Sequence, residues 1–187
     1  MSYGHLSPAQ RKALKPFIQG QHIHDLGAGD QVLSQQLLRL GCTHVTAVDK
    51  QPSASKRFNR ITWVTSYFVH YHDPLDTAFL SWPQNYRQPG LVSILERSRL
   101  VIYLGSNTGG SACGDRDLWL HLTSRELLAY SPDPANTLAV YGPARTTREP
   151  QGEELAALTN LSHMWSYWEA EGLPQPRQSA RGPSPRL

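Results

Sequence analysis

Between residues 22 and 49 the chain passes through a short strand, a glycine turn, an amphipathic helix and a second strand that ends on an acid. His22-Ile23-His24-Asp25-Leu26 reads as extended, and Gly27-Ala28-Gly29 supplies the turn. Val32, Leu33, Leu37, Leu38 and Leu40 then recur at helical spacing up to Gly41. His44-Val45-Thr46-Ala47-Val48-Asp49 is rich in β-branched residues and reads as the next strand. Strand, helix and strand within this span make a βαβ unit, whose strands run parallel and whose crossover is right-handed. A chain that commits to this unit in its first fifty residues is a layered α/β protein.

The remaining elements extend the alternation. Ser7 is placed to cap a helix that begins at Pro8 and ends at Gly20, with Leu14, Phe17 and Ile18 on its apolar face. Strands are expected at 61–65, 77–81, 100–104 and 137–141, the last ended by Gly142-Pro143, with helices at about 90–98 and 117–130. Leu100-Val101-Ile102-Tyr103-Leu104 is the most apolar of these strands and is expected at the centre of the sheet. The pattern predicts a doubly wound, mostly parallel sheet of six or seven strands with helices on both faces. From Pro150 a last helix carries Leu155, Leu158, Leu161, Trp165 and Trp168 at helical spacing, which suits packing against the sheet. Residues 1–171 are therefore read as one domain. Residues 172–187, rich in proline, arginine and serine, have little to bury and are read as a disordered tail.

Composition narrows the setting. With 187 residues, 39% of them hydrophobic, the chain can bury a core without covalent staples. Cys42 and Cys113 are far apart and in no metal or redox spacing, which fits a reducing cytoplasm. No signal-peptide pattern opens the chain, and no apolar run is long enough to span a bilayer. The net charge of +3 hides a split: residues 1–60 carry eight basic and three acidic side chains, and residues 61–171 carry seven basic and twelve acidic. Arg177, Arg181 and Arg186 make the tail basic. A basic first third can attract an anionic partner such as a nucleic acid, and it equally describes ordinary solvated helix faces.

In a parallel sheet, ligands bind beyond the carboxyl ends of the strands, where helix N-termini present free amides. Residues 25–30 stand at that place. Gly27 and Gly29 allow the backbone to turn and to approach a ligand without a Cβ between them. Asp49 ends the second strand, where a carboxylate can accept both hydroxyls of an adenosine ribose. Dinucleotide sites and adenosylmethionine sites share these features, and three details separate them. Val32 occupies the position of the third glycine in G-x-G-x-x-G; Asp25 would face a positive amino or sulfonium group but repel a pyrophosphate; and a helix precedes the first strand.

With those residues in view, His24-Asp25-Leu26-Gly27-Ala28-Gly29-Asp30 and Ala47-Val48-Asp49-Lys50 resemble motifs I and II of class I methyltransferases. The likeness covers residues 22–50 at motif level and about 8–142 by element order. It implies S-adenosylmethionine as cofactor, with Gly27, Ala28 and Gly29 along its methionine and ribose, Asp49 on the ribose and Lys50 beside the adenine. Taken singly, Asp25 also reads as a turn-capping acid and Asp49 as a strand-end acid bonded to a loop; their joint spacing favours the ligand. The family often places an acid after the third strand to hold the adenine amino group. Here the stretch is Thr65-Ser66-Tyr67-Phe68, so Ser66 would supply a hydrogen bond and Tyr67 or Phe68 a stacking face. The family also closes its sheet with an antiparallel hairpin, whereas the pattern here yields only one strand after residue 130.

Ser81-Trp82-Pro83-Gln84-Asn85-Tyr86, after the fourth strand, is similar to the Asp/Asn/Ser-Pro-Pro-aromatic loop of amino-directed methyltransferases, with Trp82 in place of the middle proline. That likeness gives Ser81 and Trp82 substrate-positioning parts. The glycine-rich loop 105–114 opens on the same edge, lacks a Walker lysine, and offers Asn107 as a substrate contact. Cys113 reads as a small buried residue. His70 and His72 would share one face of a strand, but no third ligand accompanies them, so no metal site is expected. Methyl transfer requires chiefly that donor and acceptor be held in line, and no residue stands out as a general base. The leading expectation is an adenosylmethionine-dependent methyltransferase acting on an unidentified acceptor, an amine or a nucleic acid. A non-catalytic binding or scaffold protein with a degenerate methyltransferase site is the alternative. A nicotinamide-dependent oxidoreductase is disfavoured by Val32 and Asp25.

Overall fold

The structure is a computed structural model that describes residues 5–51, 58–84, 86–106, 113–132 and 136–144. Among these residues four helices and seven strands follow in chain order: α1 (Pro8–Ile18), β1 (His22–Leu26), α2 (Val32–Arg39), β2 (His44–Asp49), β3 (Ile61–Thr65), β4 (Thr77–Ser81), α3 (Leu91–Glu96), β5 (Leu100–Gly105), α4 (Arg116–Thr123), β6 (Arg125–Ser131) and β7 (Thr137–Ala144). A single 3₁₀ turn, Phe68–His70, lies between β3 and β4. The start of α1 is fixed by its own side chains: Gln10 N donates to Ser7 Oγ at 3.2 Å, and Ser7 N donates to Gln10 Oε1 at 2.9 Å. This capping box satisfies two amides that the first turn would leave unpaired.

All seven strands form one sheet in the order β3-β2-β1-β4-β5-β7-β6. β1 to β5 are mutually parallel, and β7 runs antiparallel to both β5 and β6. From β1 the chain first winds outward through β2 to β3, then returns to β4 on the other side of β1. The carboxyl ends of β1 and β4 therefore flank the point where the winding direction reverses, and a crevice opens there.

Side chains alternate across the sheet with a period of two, which splits the core into two layers. On β5, Val101 and Tyr103 join Leu91, Ile94, Leu95, Trp119 and Leu122 from α3 and α4. Ile102 and Leu104 point to the other face, with Leu14, Ile18, Leu33 and Leu37 from α1 and α2. All six residues of β5 are buried, as suits an interior strand covered by helices on both faces, although the centre of the sheet is β4.

One expected element is corrected. The helix read over 117–130 ends at Thr123, and Ser124 leads into β6, which pairs antiparallel with β7. The closing hairpin is therefore present, and β7 runs on through Gly142 and Pro143 to Ala144. The apolar positions explain the misreading: Leu118, Trp119, Leu122, Leu127 and Leu128 continue a helical spacing with no glycine or proline between them. β6 is an edge strand with irregular register at Leu127, so its burial pattern carries little strand alternation. The helix expected from Pro150 and the tail from residue 172 lie outside the described residues.

Gly90, at the start of α3, joins the fold to the crevice. Its φ is +85°, and a Cβ there would stand 2.5 Å from Val69 N and 2.7 Å from Phe68 C, both backbone atoms. Only glycine accepts both the left-handed conformation and that approach. Gly90→Ala is expected to lower the melting temperature by on the order of 10 °C, as backbone strain and overpacking each cost about 1–3 kcal/mol. A melting point within 2 °C of the parent would show that the 3₁₀ turn moves freely.

Candidate functional site

The glycine turn owes its shape to three left-handed residues at alternate positions. Gly27, Gly29 and Gln31 have φ values of +80°, +51° and +64°. The turn is tied to the adjacent strand by Gly27 N and Ala28 N, which both donate to Val48 O, at 2.8 and 3.2 Å. Gly29 N donates to Asp49 Oδ2 at 3.0 Å, and Gln51 N donates to Asp49 Oδ1 at 2.9 Å. Two backbone amides thus orient the Asp49 carboxylate, and each oxygen keeps a lone pair for a ligand. A Cβ at Gly27 or Gly29 would meet no atom within 4 Å, so the turn borders open space.

That space is a cleft of about 360 Å³ at the carboxyl ends of four strands. Leu26 ends β1 and Gly27 follows it, Asp49 ends β2 and Lys50 follows it, Ser66 and Tyr67 follow β3, and Ser81 ends β4 with Trp82 next to it. Of the residues singled out in the sequence, Gly27, Asp49, Lys50, Ser66, Tyr67, Ser81 and Trp82 are brought together on this wall. Ala28 is buried in the turn behind it, and Gly29 contributes through its amide to Asp49. The Ser66 hydroxyl donates to Tyr67 O at 3.0 Å and retains acceptor capacity. Asn107 lies outside the described residues.

Trp82 is the most strained residue of the wall. Its φ of +48° is uncommon for a bulky side chain, and its amide is held by Leu104 O at 2.7 Å. Strain of this kind costs about 1–3 kcal/mol and persists where surrounding contacts enforce it. Its side chain packs against the core layer that contains Leu80 and Tyr103.

The structure moves Asp25 away from the ligand role expected of it. Alternation along β1 turns its side chain to the α2 face, where it is fully buried and accepts a 2.5 Å hydrogen bond from Ser34 Oγ. It does not line the cleft. Burial raises its pKa to about 7, with the Asp49 and Asp30 charges adding to the rise and the Ser34 hydrogen bond opposing it. A carboxyl so placed shapes the turn from behind.

The histidines of β1 and β2 form a second polar layer, away from the cleft. His24 is buried, with its Nδ1 2.6 Å from the Tyr71 hydroxyl and its ring stacked on His22 at 4.5 Å. Burial first, and then the neighbouring His22, lower the His24 pKa to about 4. Among the described residues no three His, Cys, Asp or Glu side chains are grouped to hold a metal ion, and His70 ends the 3₁₀ turn, so it and His72 do not share a strand as expected. Cys42 is buried with its thiol pushed up to about 11, and burial likewise raises Cys113. Neither is poised as a nucleophile. Among the described residues no helix is long and apolar enough to cross a membrane.

Sequence reasoning assigned no role to Val69, Tyr86 and Arg87, which complete the outer wall. Their recruitment depends on the 3₁₀ turn and on the loop between β4 and α3, neither of which has a periodic signature.

Comparison with known proteins gives the fold an independent footing. No protein-family model matches the chain, and no curated protein sequence does. Solved structures do. The 1,6-didemethyltoxoflavin N1-methyltransferase of Burkholderia thailandensis, solved with S-adenosylhomocysteine, is similar with a TM-score of 0.58 at 15% identity, over 74% of this chain and 77% of that one. A candidate hemolysin of Streptococcus thermophilus gives 0.54 at 14% identity, over 84% and 74% of the two chains. A candidate RNA methyltransferase of Pyrococcus horikoshii gives 0.51 at 14% identity, over 74% and 81%. Strand order, antiparallel β7 and these structural likenesses agree: the chain has the Rossmann-like α/β fold of the class I methyltransferases.

Proposed function

We propose that this chain binds S-adenosylmethionine in the switch-point cleft and transfers its methyl group to an acceptor that enters past Ser81 and Trp82. The observation that carries this reading is that the glycine turn, the Asp49 carboxylate, Ser81 and Trp82 border one cleft. The residues suit the group. Gly27 lets the backbone approach it, Asp49 can accept from two ribose hydroxyls, and Leu26, Tyr67 and Leu80 offer apolar surface to a purine. The similar Burkholderia enzyme holds the demethylated cofactor, which supports the same choice here. When bound, the cofactor supplies an electrophilic methyl on a sulfonium. The chain's own residues bind, orient and exclude water, which is most of what such a displacement asks of a protein.

Calorimetry with S-adenosylhomocysteine tests the assignment. Binding in the micromolar range is expected, and Asp49→Ala should weaken it by about ten- to a hundredfold, the range for losing hydrogen bonds to a charged group. No heat at high-micromolar ligand, or an unchanged affinity in Asp49→Ala, overturns the reading. Tight binding of NADH in its place would favour an oxidoreductase.

A further inference from the structure

The connection from β3 to β4 is too short to be the helix that a parallel crossover ordinarily uses. The two strands run parallel and lie three strand spacings apart. Residues 66–76 must therefore cross about 14 Å sideways while returning about 17 Å along the strands, about 22 Å in all. The same residues wound as an α-helix would span about 16 Å. The stretch runs mostly extended, and the 3₁₀ turn Phe68–His70 is its one regular element. An extended segment has no hydrogen-bond ladder of its own, so what holds it comes from its neighbours.

The first residues of this connection are part of the cleft. Ser66, Tyr67, Phe68 and Val69 all line it. Tyr67 and Val69 are 62% and 49% exposed, and of these four only Phe68 packs against the core layer beneath. Side chains that bury so little surface do not fix their own position, because contact with the core is what opposes local opening.

Two side chains beyond the cleft grip the segment. Tyr71 is buried, and its hydroxyl lies 2.6 Å from His24 Nδ1 on β1. Burial, and then the Asp73 charge, raise its pKa against the opposing Arg97 charge, so the hydroxyl keeps its proton. Arg97 caps the carboxyl end of α3. Its Nη2 donates to Tyr71 O at 2.9 Å, and its Nη1 donates to His72 O at 3.2 Å and Asp73 O at 3.3 Å. Its Nε donates to Ser93 O at 3.3 Å, which keeps the guanidinium against its own helix. A planar fork suits a run of three successive carbonyls. Neither Tyr71 nor Arg97 lines the cleft. At the other end of α3, Gly90 abuts the backbone of Phe68 and Val69. The connection is thus clamped between β1 and α3 just beyond the residues that face a ligand.

Resting on the adenosylmethionine reading, we propose that Tyr71 and Arg97 are positioning residues, which hold residues 66–69 as a fixed wall that reads the edge of the purine. Ser66 gives that wall its polarity. Its hydroxyl donates to Tyr67 O at 3.0 Å, which leaves lone pairs, and no hydrogen, for a ligand. Lone pairs accept from the amino group of adenine and repel the carbonyl oxygen of hypoxanthine. The preference lasts only while the wall keeps its place, because a hydrogen bond weakens steeply with misalignment. In a loosened segment the hydroxyl turns to suit either edge, and discrimination is lost before affinity is.

The test uses the full chain and calorimetry with two ligands that differ only at the base edge, S-adenosylhomocysteine and S-inosylhomocysteine. The parent should prefer the adenosyl ligand by about tenfold or more. Tyr71→Phe, which keeps the buried ring, and Arg97→Met should each cut that preference by about three- to tenfold, the range commanded by one well-placed hydrogen bond. Arg97→Lys should recover part of it. Arg99→Met removes an exposed charge that pairs with Asp76 instead, and should leave the preference unchanged. A variant that only folds less well lowers both affinities by the same folded fraction, so the ratio separates positioning from stability. No binding of S-adenosylhomocysteine by the parent overturns the cofactor reading and this proposal with it. Binding by the parent without a preference, or a preference reduced by less than about twofold in either Tyr71→Phe or Arg97→Met, overturns the positioning role alone.

Discussion

Replacing Arg125 with methionine is expected to lower the unfolding free energy by about 3 kcal/mol and the melting temperature by on the order of 10 °C. Arg125 opens β6 and is 4% exposed. Its guanidinium donates to Gly142 O at 2.6 Å on β7, to Leu95 O at 3.1 Å on α3, and to Ser98 O and Arg99 O at 2.6 and 2.9 Å where α3 leads into β5. His121 of α4 is 3.3 Å away. One side chain therefore joins the closing hairpin to the last turn of α3, where Leu95 O also accepts from Ser98 N at 3.0 Å and the helix dipole favours a cation. Methionine keeps much of the volume but none of the donors, so several buried carbonyls would lose their partners together. Arg125→Lys is expected to recover less than half of the loss, since a single ammonium cannot span four carbonyls in a planar fork. Urea denaturation of the parent and both variants is the measurement. A midpoint for Arg125→Met within 0.3 M of the parent would mean that water replaces the guanidinium at every carbonyl.

Arg125 also shows where sequence pattern stops being informative. The βαβ unit, its glycine turn and the acid at the end of β2 are local: each is set by residues within about thirty positions, and periodicity with turn chemistry exposes them. β6 is not local in that sense. Arg-Glu-Leu-Leu-Ala-Tyr-Ser has no clean alternation, and it is a strand because β7, arriving later in the chain, pairs with it. An arginine in that run looks like a solvated helix residue until the hairpin encloses it. Asp25 failed for a different reason. The motif correctly marks the turn, but strand alternation already assigns neighbours Asp25 and Leu26 to opposite faces, and Leu26 is the one that reaches the cleft. Tyr86 closes a stretch that stood out in the sequence, but its direction did not, and Arg87 carries no signature, since a loop takes its direction from what it connects. Gly90 was visible only as a helix start; the need for glycine arises from Val69 N lying 2.5 Å from where a Cβ would be.

Asp25→Asn and His24→Gln are expected to tilt the dependence of stability on pH in opposite directions. Asp25 has its folded pKa raised from 3.8 to about 7. Its contribution is therefore fully present below pH 3.8 and is lost as pH rises towards 7, because the unfolded carboxyl ionises freely while the buried one does not. At about 1.4 kcal/mol per pH unit the loss amounts to about 4 kcal/mol. His24 has its folded pKa lowered from 6.5 to about 4. Its contribution is present above pH 6.5 and is lost as pH falls towards 4, because the unfolded imidazole takes up a proton that the buried ring refuses. Between pH 4 and 6.5 the unfolded chain protonates His24 while the folded chain protonates Asp25, so the proton counts match and the two slopes cancel. Removing either partner uncovers the other. Relative to the parent, Asp25→Asn should lose stability on acidification from pH 6.5 to 4 and should gain about 2–4 kcal/mol at pH 8, where the buried carboxylate is no longer ionised at a cost. His24→Gln should gain stability over the same acid range. The double variant should restore the parent's slope there, which His22 and His121, both lowered chiefly by burial, continue to set. Urea unfolding at half-unit pH steps reads all four curves, and parallel curves for the two single variants would show that neither group keeps its unusual protonation in the folded chain.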